Sequence, residues 1–315
     1  MHELPPELRS AVQDLVRGIG SLGHKTHQMT QHFRGGGSSD SAIDFNAYLV
    51  TRLPATYASV AACLDELIQR CPQFSPETLL DVGAGPGTVG WAGVEYFPDI
   101  DEVTFFDNNR QFLELAGHLA EHSEHGGLRG AKTQNGDFCQ APPGTAADLV
   151  VASYAMAELP VSKVASATRN LWLSCKAMLM IIEPGTPQGY ARILEARSVL
   201  IKEGAHIVAP CSHQKPCPLI SPDWCHFKAR LMRSREHMHA KNATVPFEDE
   251  KFSYLIVSRS SAEAIGARIL APPIATKVET RFKLCSENGV SKLSVPTRDK
   301  TEYKRVRKLH WGDIF

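Results

Sequence analysis

Between Glu77 and about Gly204, short strand-like runs alternate with stretches of helical period. "TLLDVG" is an apolar run ending on an acid, "TVGWAGVEYF" follows at helical spacing, and "EVTFFD" is a second strand. "NNRQFLELAGHLAEH" predicts a helix with Phe112, Leu115 and Leu119 on one side and Asn108 as its N-cap. "GAKTQNGDF" reads as a weak third strand, "ADLVVASY" as a fourth and "AMLMIIEPG" as a fifth, with helices over about 158–174 and 188–203. Repeated strand–helix units imply a doubly wound α/β fold, a mostly parallel sheet with helices on both faces. A ligand then belongs at the carboxyl ends of the first strands.

The flanking segments differ. The first 75 or so residues read as helical. "ELRSAVQDLVRGIGSL" sets Leu8, Val12, Leu15 and Ile19 in one stripe, "GGGSSD" (35–40) is a linker, and "PATYASVAACLDELIQRC" resumes a helix with Pro54 near its first turn. After Gly204 the alternation stops. Residues 205–250 hold no convincing strand, "KFSYLIVSRS" (251–260) restores one, and "KVETRFKLC" with "SKLSVPT" predicts a terminal hairpin. The expected division is a helical region (1–75), an α/β domain (76–204), a cysteine-rich insertion (205–250), and remaining sheet strands with a basic C-terminal segment (251–315). A chain of 315 residues that is 43% hydrophobic can bury such a core. Lys+Arg and Asp+Glu balance at 34 each, so any nucleic-acid surface must come from local clustering. No apolar run approaches the ~20 residues that cross a bilayer, so no membrane partner is expected. The amino terminus lacks an apolar segment, and Glu3, Glu7 and Asp14 argue against a mitochondrial presequence. A cytoplasmic protein is expected.

"LLDVGAGPGTVG" satisfies two fingerprints at once. Gly85, Gly87 and Gly90 form G-x-G-x-x-G, the dinucleotide pattern. Asp81, Gly83, Gly85 and Gly87 form D-x-G-x-G-x-G, the usual loop of S-adenosylmethionine (SAM)-dependent methyltransferases. Only the second explains the acid closing the strand, since a carboxylate there can accept from the methionine ammonium of SAM and would repel a pyrophosphate. Asp107 ends the next strand, with Asn108 beside it, and suits ribose hydroxyls. Asp137 and Phe138 suit adenine, the acid taking the exocyclic amine and the ring packing on the base. Ser153 and Tyr154, at the end of the fourth strand, complete the expected cofactor-binding set. Enzymes that methylate exocyclic amines of bases carry an Asp/Asn-Pro-Pro-aromatic tetrapeptide there; this chain reads "SYAMAELP", so no catalytic residue is assigned.

"CSHQKPCPLISPDWC" puts Cys211, Cys217 and Cys225 within fifteen positions, beside Pro210, Pro216 and Pro218. The spacing is looser than a zinc ribbon. His213, His226 and Cys285 are candidates for a fourth ligand, and four thiolates suit an iron–sulfur cluster or zinc. Cys63, Cys71, Cys139 and Cys175 sit among apolar residues and read as buried structural thiols.

With loop and cysteines together, the chain resembles the methyltransferase-like assembly factors of the mitochondrial small ribosomal subunit and their alphaproteobacterial relatives. The likeness runs through "RLPATYASV", "LLDVGAGPGT", "SYAMAELP", "IIEPGTPQGY", "APCSHQKPCPL", "DWCHF", "KFSYLIVSR" and "YKRVRKLHWGD", about residues 45 to 313. It implies a class I SAM-dependent methyltransferase fold and a [4Fe–4S] cluster on Cys211, Cys217, Cys225 and Cys285, with zinc as the alternative. It also implies rRNA-directed action in small-subunit assembly or translation. The rival readings are a non-catalytic assembly factor holding SAM and cluster as structural ligands, and a methyltransferase acting on a protein or small molecule. Two basic runs agree with an RNA partner. Residues 226–241 include Lys228, Arg230, Arg233 and Arg235, and residues 298–308 include Lys304, Arg305, Arg307 and Lys308, with Tyr303 and Trp311 available for stacking.

Overall fold

The computed structural model describes residues 2–17, 44–263 and 265–315. The predicted linker at 35–40 and Ile19 lie outside these. Helix α1 (Pro6–Val16) and the long α2 (Phe45–Arg70) precede the sheet. The side chain of Asp44 caps α2 by accepting from Ala47 N at 3.0 Å, so the helix starts well before Pro54. Pro54 therefore lies inside the helix rather than in its first turn, a correction to the sequence reading.

The core runs β1 (Thr78–Val82), α3 (Thr88–Tyr96), β2 (Glu102–Asp107), α4 (Arg110–Ala120), the short α5 (Gly126–Arg129), β3 (Lys132–Asn135) and β4 (Ala147–Ser153). It continues through α6 (Val164–Leu173), β5 (Cys175–Pro184), α7 (Pro187–Lys202), β6 (His206–Ala209), β7 (Phe227–Met232), α8 (Arg235–Ala240) and β8 (Phe247–Ser258). The strand order is β3-β2-β1-β4-β5-β8-β6, with β7 also paired to β8. Neighbours from β3 to β5 are parallel, whereas β8 runs antiparallel to β5, β6 and β7. This is the class I SAM-dependent methyltransferase arrangement, in which the order reverses between β1 and β4 and leaves a crevice at the carboxyl ends.

Both faces of the sheet are buried, as the near-continuous apolar strands require. Leu79, Phe105, Val151, Met180, Tyr254 and Ile256 pack with α1 to α4. Leu80, Val82, Val150, Ile181, Leu255 and Val257 pack under α6 and α7. The segment 205–250, expected to hold no strand, contributes β6 and β7. In β7, "FKARLM" buries Phe227, Ala229 and Leu231 and exposes Lys228, Arg230 and Met232. Its period of two is that of a half-buried strand.

The predicted terminal hairpin forms as β11 (Glu279–Ser286) and β12 (Gly289–Pro296), after β9 (Arg268–Ile269) and β10 (Ile274–Ala275). These four strands make a second sheet of their own, and only β8 rejoins the first. Ile269, Phe282, Leu284 and Val295 bury its face against Val306 of α9 (Lys300–Val306).

Candidate functional site

A cavity of about 400 Å³ lies at the carboxyl ends of β1, β2 and β4, the crevice where the order reverses. Its floor is the loop from β1 to α3. Gly83 has φ +69°, and a Cβ there would stand 2.5 Å from Ala155 Cβ, so glycine lets this loop press against the one after β4. Gly87, at φ +78°, is pressed in the same way by the Phe105 ring. The N–H of Gly85 donates to Asp107 Oδ2 at 2.9 Å, and that of Asn109 donates to Oδ1 at 2.8 Å. Burial still raises the Asp107 pKa against these bonds and those from Asn108. Asp107 and Asn108 line the cavity. The cap of α4 is Asn109, not Asn108: its side chain accepts from Gln111 N at 3.0 Å and Phe112 N at 3.3 Å.

Asp81 departs from expectation. It is 1% exposed, faces the backbone N–H groups of Val89 and Gly90 at the start of α3, and does not line the cavity. A carboxylate closing β1 meets the amino end of the following helix, whose unpaired N–H groups attract it. Burial and the neighbouring Asp107 push its pKa well up, and its Oδ2 has no hydrogen-bond partner among the described residues.

Asp137 and Phe138 line the cavity beyond β3. Asp137 accepts from Cys139 N at 2.8 Å and Gln140 Nε2 at 2.9 Å, bonds that outweigh partial burial and hold its pKa low. Ser153 and Tyr154 form the wall at the end of β4, and the buried Ser153 hydroxyl has no partner among the described residues. Tyr154 sits at φ +60°, a conformation that costs ~1–3 kcal/mol in a non-glycine residue. Three bonds hold it there. Its N–H donates to Ile182 O at 2.7 Å, and its hydroxyl lies 3.2 Å from Ser59 Oγ and 3.0 Å from Glu250 Oε1.

Three lining residues missed in the sequence come from α2: Tyr48, Arg52 and Thr56. They recur every four residues, one stripe of polar-tipped side chains along the helix, and that period was the available signal. Arg52 packs over the Tyr154 ring, 5.3 Å from its centroid, and pairs with Glu250 at 3.5 Å. Glu183, at the end of β5, was also missed. It is fully buried and accepts from Met156 N at 3.0 Å, fixing the loop that carries Ala157 and Glu158 to the cavity. Burial raises its pKa to about 8 although Arg192 opposes the shift.

Cys211, Cys217, Cys225 and Cys285 line one separate cavity between α7 and the second sheet. All are free thiols, as are the other four cysteines. Burial pushes the Cys225 thiol well up, with Cys211, Cys217 and Cys285 adding to it, and Cys285 reaches about 12. His213 and His226 do not line this cavity. Among the described residues, no three His, Cys, Asp or Glu side chains are spaced as ligands of a single metal ion.

The two basic runs differ. Lys228 and Arg230 both bind Asp249 of β8, at 2.8 Å and 2.6 Å, and Arg233 binds Glu248 at 3.2 Å. Arg235 begins α8 and is exposed. Lys304, Arg307 and Lys308 are exposed and make no ion pair among the described residues, whereas Arg305 pairs with Glu302. The runs approach each other where the His226 ring meets Trp311, centroids 4.9 Å apart.

Residues 42–315 match the family described as "Mitochondrial small ribosomal subunit Rsm22". The chain belongs to the Rsm22 family. This Rsm22-family chain is 27% identical over 287 residues to the human ribosome assembly protein METTL17, mitochondrial, covering 85% of itself and 61% of that protein. It is 24% identical to the Schizosaccharomyces pombe Rsm22-cox11 tandem protein 2, mitochondrial, covering 42% of it. The chain thus spans between two fifths and three fifths of these relatives. Among solved structures it is similar to a magnesium protoporphyrin IX methyltransferase from Synechocystis with bound SAM. That pair shares 14% identity and a TM-score of 0.45, over 82% of this chain and all of the other. The expected cytoplasmic location is corrected here: the family description and these relatives are mitochondrial. An acid-containing amino terminus speaks to one kind of leader and does not fix a compartment.

Proposed function

We propose that this Rsm22-family chain binds SAM in the β1–β2–β4 crevice and acts on the small ribosomal subunit and its rRNA during assembly. The observation that carries this reading is the family match over residues 42–315, which takes in both the crevice and all four cavity cysteines. In this reading Asp107 holds the ribose, Asp137 and Phe138 the adenine, and the loop glycines let the backbone approach the ligand. Asp81 is behind the wall, so the methionine end takes other partners, with Arg52 for its carboxylate and the unpartnered Ser153 hydroxyl beside it. The four cysteines form the site of a [4Fe–4S] cluster; zinc, the alternative, is the poorer fit, because among the described residues no three such side chains are spaced for a single ion. The donor set fits a cationic core, because thiols that burial keeps neutral ionise when they bind metal. That group would hold the 211–225 loop to β11 through Cys285.

The test uses purified precursors of the small subunit and SAM labelled in the transferred methyl group. Particle binding abolished by ribonuclease, with label entering RNA, is the expected outcome. Binding without label favours the non-catalytic assembly factor, and label in protein favours the third reading. No particle binding would sink the proposal.

A further inference from the structure

Two groups on one face of α7 point at the thiol cavity. Tyr190 and Arg197 are seven residues apart, two helical turns, and both line it; Arg268 of β9 lines it from the other side. The Tyr190 hydroxyl lies 3.1 Å from Cys217 Sγ. A cysteine that binds metal is a thiolate and can only accept, so in the loaded site the tyrosine must be the donor. Arg197 is 5% exposed and donates to the carbonyls of His213 at 2.7 Å and Lys215 at 2.8 Å, pinning the loop between Cys211 and Cys217. Its Nε–H is buried without a partner among the described residues, and the guanidinium also faces the Cys211 thiol. Arg268 is 1% exposed; it donates to Pro210 O at 3.0 Å and grips Glu66 with both terminal nitrogens.

We propose that Tyr190 and Arg197, backed by Arg268, are positioning residues that set the electron affinity of the group held by the four cysteines. The proposal rests on the cluster reading above. A cluster gains negative charge when it accepts an electron, and hydrogen bonds to its sulfurs and nearby positive charge stabilise that state. The hydroxyl on Cys217 and the Arg197 guanidinium therefore raise the reduction potential, while Arg268, whose charge Glu66 answers, holds the backbone beside Cys211 through Pro210 O. Arg197 has a second task, since the same side chain fastens the backbone that presents Cys211 and Cys217.

The experiment is a mediated redox titration of the full chain, purified anaerobically, with dithionite as the electron donor and the reduced cluster read by electron paramagnetic resonance. Iron and acid-labile sulfide are measured on each sample. Tyr190→Phe keeps the buried ring and removes only the donor. It should retain wild-type iron and sulfide while its midpoint moves to more negative potential. Arg197→Gln should move further the same way and release iron to a chelator roughly tenfold faster. If Arg197→Gln cannot hold iron, Tyr190→Phe alone decides. An unchanged midpoint in an iron-loaded Tyr190→Phe protein overturns the proposal. Wild-type protein with zinc, or without iron and sulfide, overturns the cluster reading and this proposal with it.

Discussion

At the scale of single residues, the acids that end β1 and β2 separate by what their carboxylates already touch. Asp107 spends both oxygens on the N–H groups of Gly85 and Asn109 and still lines the cavity. It therefore shapes the loop and, in the proposed SAM site, contacts the ligand at once. Asp107→Ala should weaken SAM binding about tenfold or more in calorimetry, at ~0.5–1.5 kcal/mol for each hydrogen bond lost. It should also lower the melting temperature, because two N–H groups lose their acceptor. Asp81 touches only the start of α3, so Asp81→Asn should change SAM affinity by no more than about twofold, well under 1 kcal/mol. A collapse of affinity in Asp81→Asn would show that its carboxylate does reach the methionine end.

At the scale of elements, legibility followed the length and regularity of the pattern. The strands β1, β2, β4 and β5 were plain because each is an apolar run ended by a turn. Gly83, Gly85, Gly87 and Asp107 stood out because a tight ligand loop has few sequence solutions. β7 was hidden because its outward residues are Lys228 and Arg230, and a charge run masks an alternation only six residues long. The α2 wall was hidden for another reason: nothing local says that a helix before the sheet folds over the crevice. The acids that answer β7 were equally invisible, since Glu248 and Asp249 follow it by more than a dozen residues. Glu248 joins β7 and α8 to β8. Arg233, His237 and Lys241 all lie within 3.2 Å of it. Burial alone would raise its pKa, but the bonds from His237 and Lys241 prevail and hold it far below the usual range. A depressed acid contributes stability above its unfolded pKa, near ~4.3, and that contribution is lost as the pH falls through the folded value. Glu248→Gln should therefore melt below wild type at pH 7. The gap should narrow progressively as the pH drops below ~4, because the unfolded chain then takes up a proton at Glu248 that the folded protein still refuses. Melting curves from pH 3 to 7 check this, and a gap that stays constant across them would count against it.

At the scale of the whole molecule, a chain with no net charge must gather its RNA-facing cations in one region, and the structure ranks the two basic runs. Lys228, Arg230 and Arg233 already hold carboxylates of β8, so a phosphate has to displace Asp249 or Glu248 to reach them. Lys304, Arg307 and Lys308 have no such competitor among the described residues, and Trp311 follows them at the contact with His226. The proposed RNA grip is therefore centred on the C-terminal segment, with the β7 face contributing less. Each phosphate contact releases counterions and adds ~0.7–0.9 to the slope of log K against log salt. Changing Lys304, Arg307 and Lys308 together to Ala should flatten that slope by about 2–3, while Lys228→Ala with Arg230→Ala flattens it by less than about 1. Neither set lines the crevice, so SAM affinity should stay at the wild-type value in both. A salt titration of small-subunit RNA binding, run with calorimetry on the same proteins, measures all of these. Equal slopes in wild type and both variants would mean that these side chains face only water and that the RNA is held elsewhere. A larger loss from the β7 pair would mean that RNA does displace Asp249, and that the grip is centred on the sheet edge.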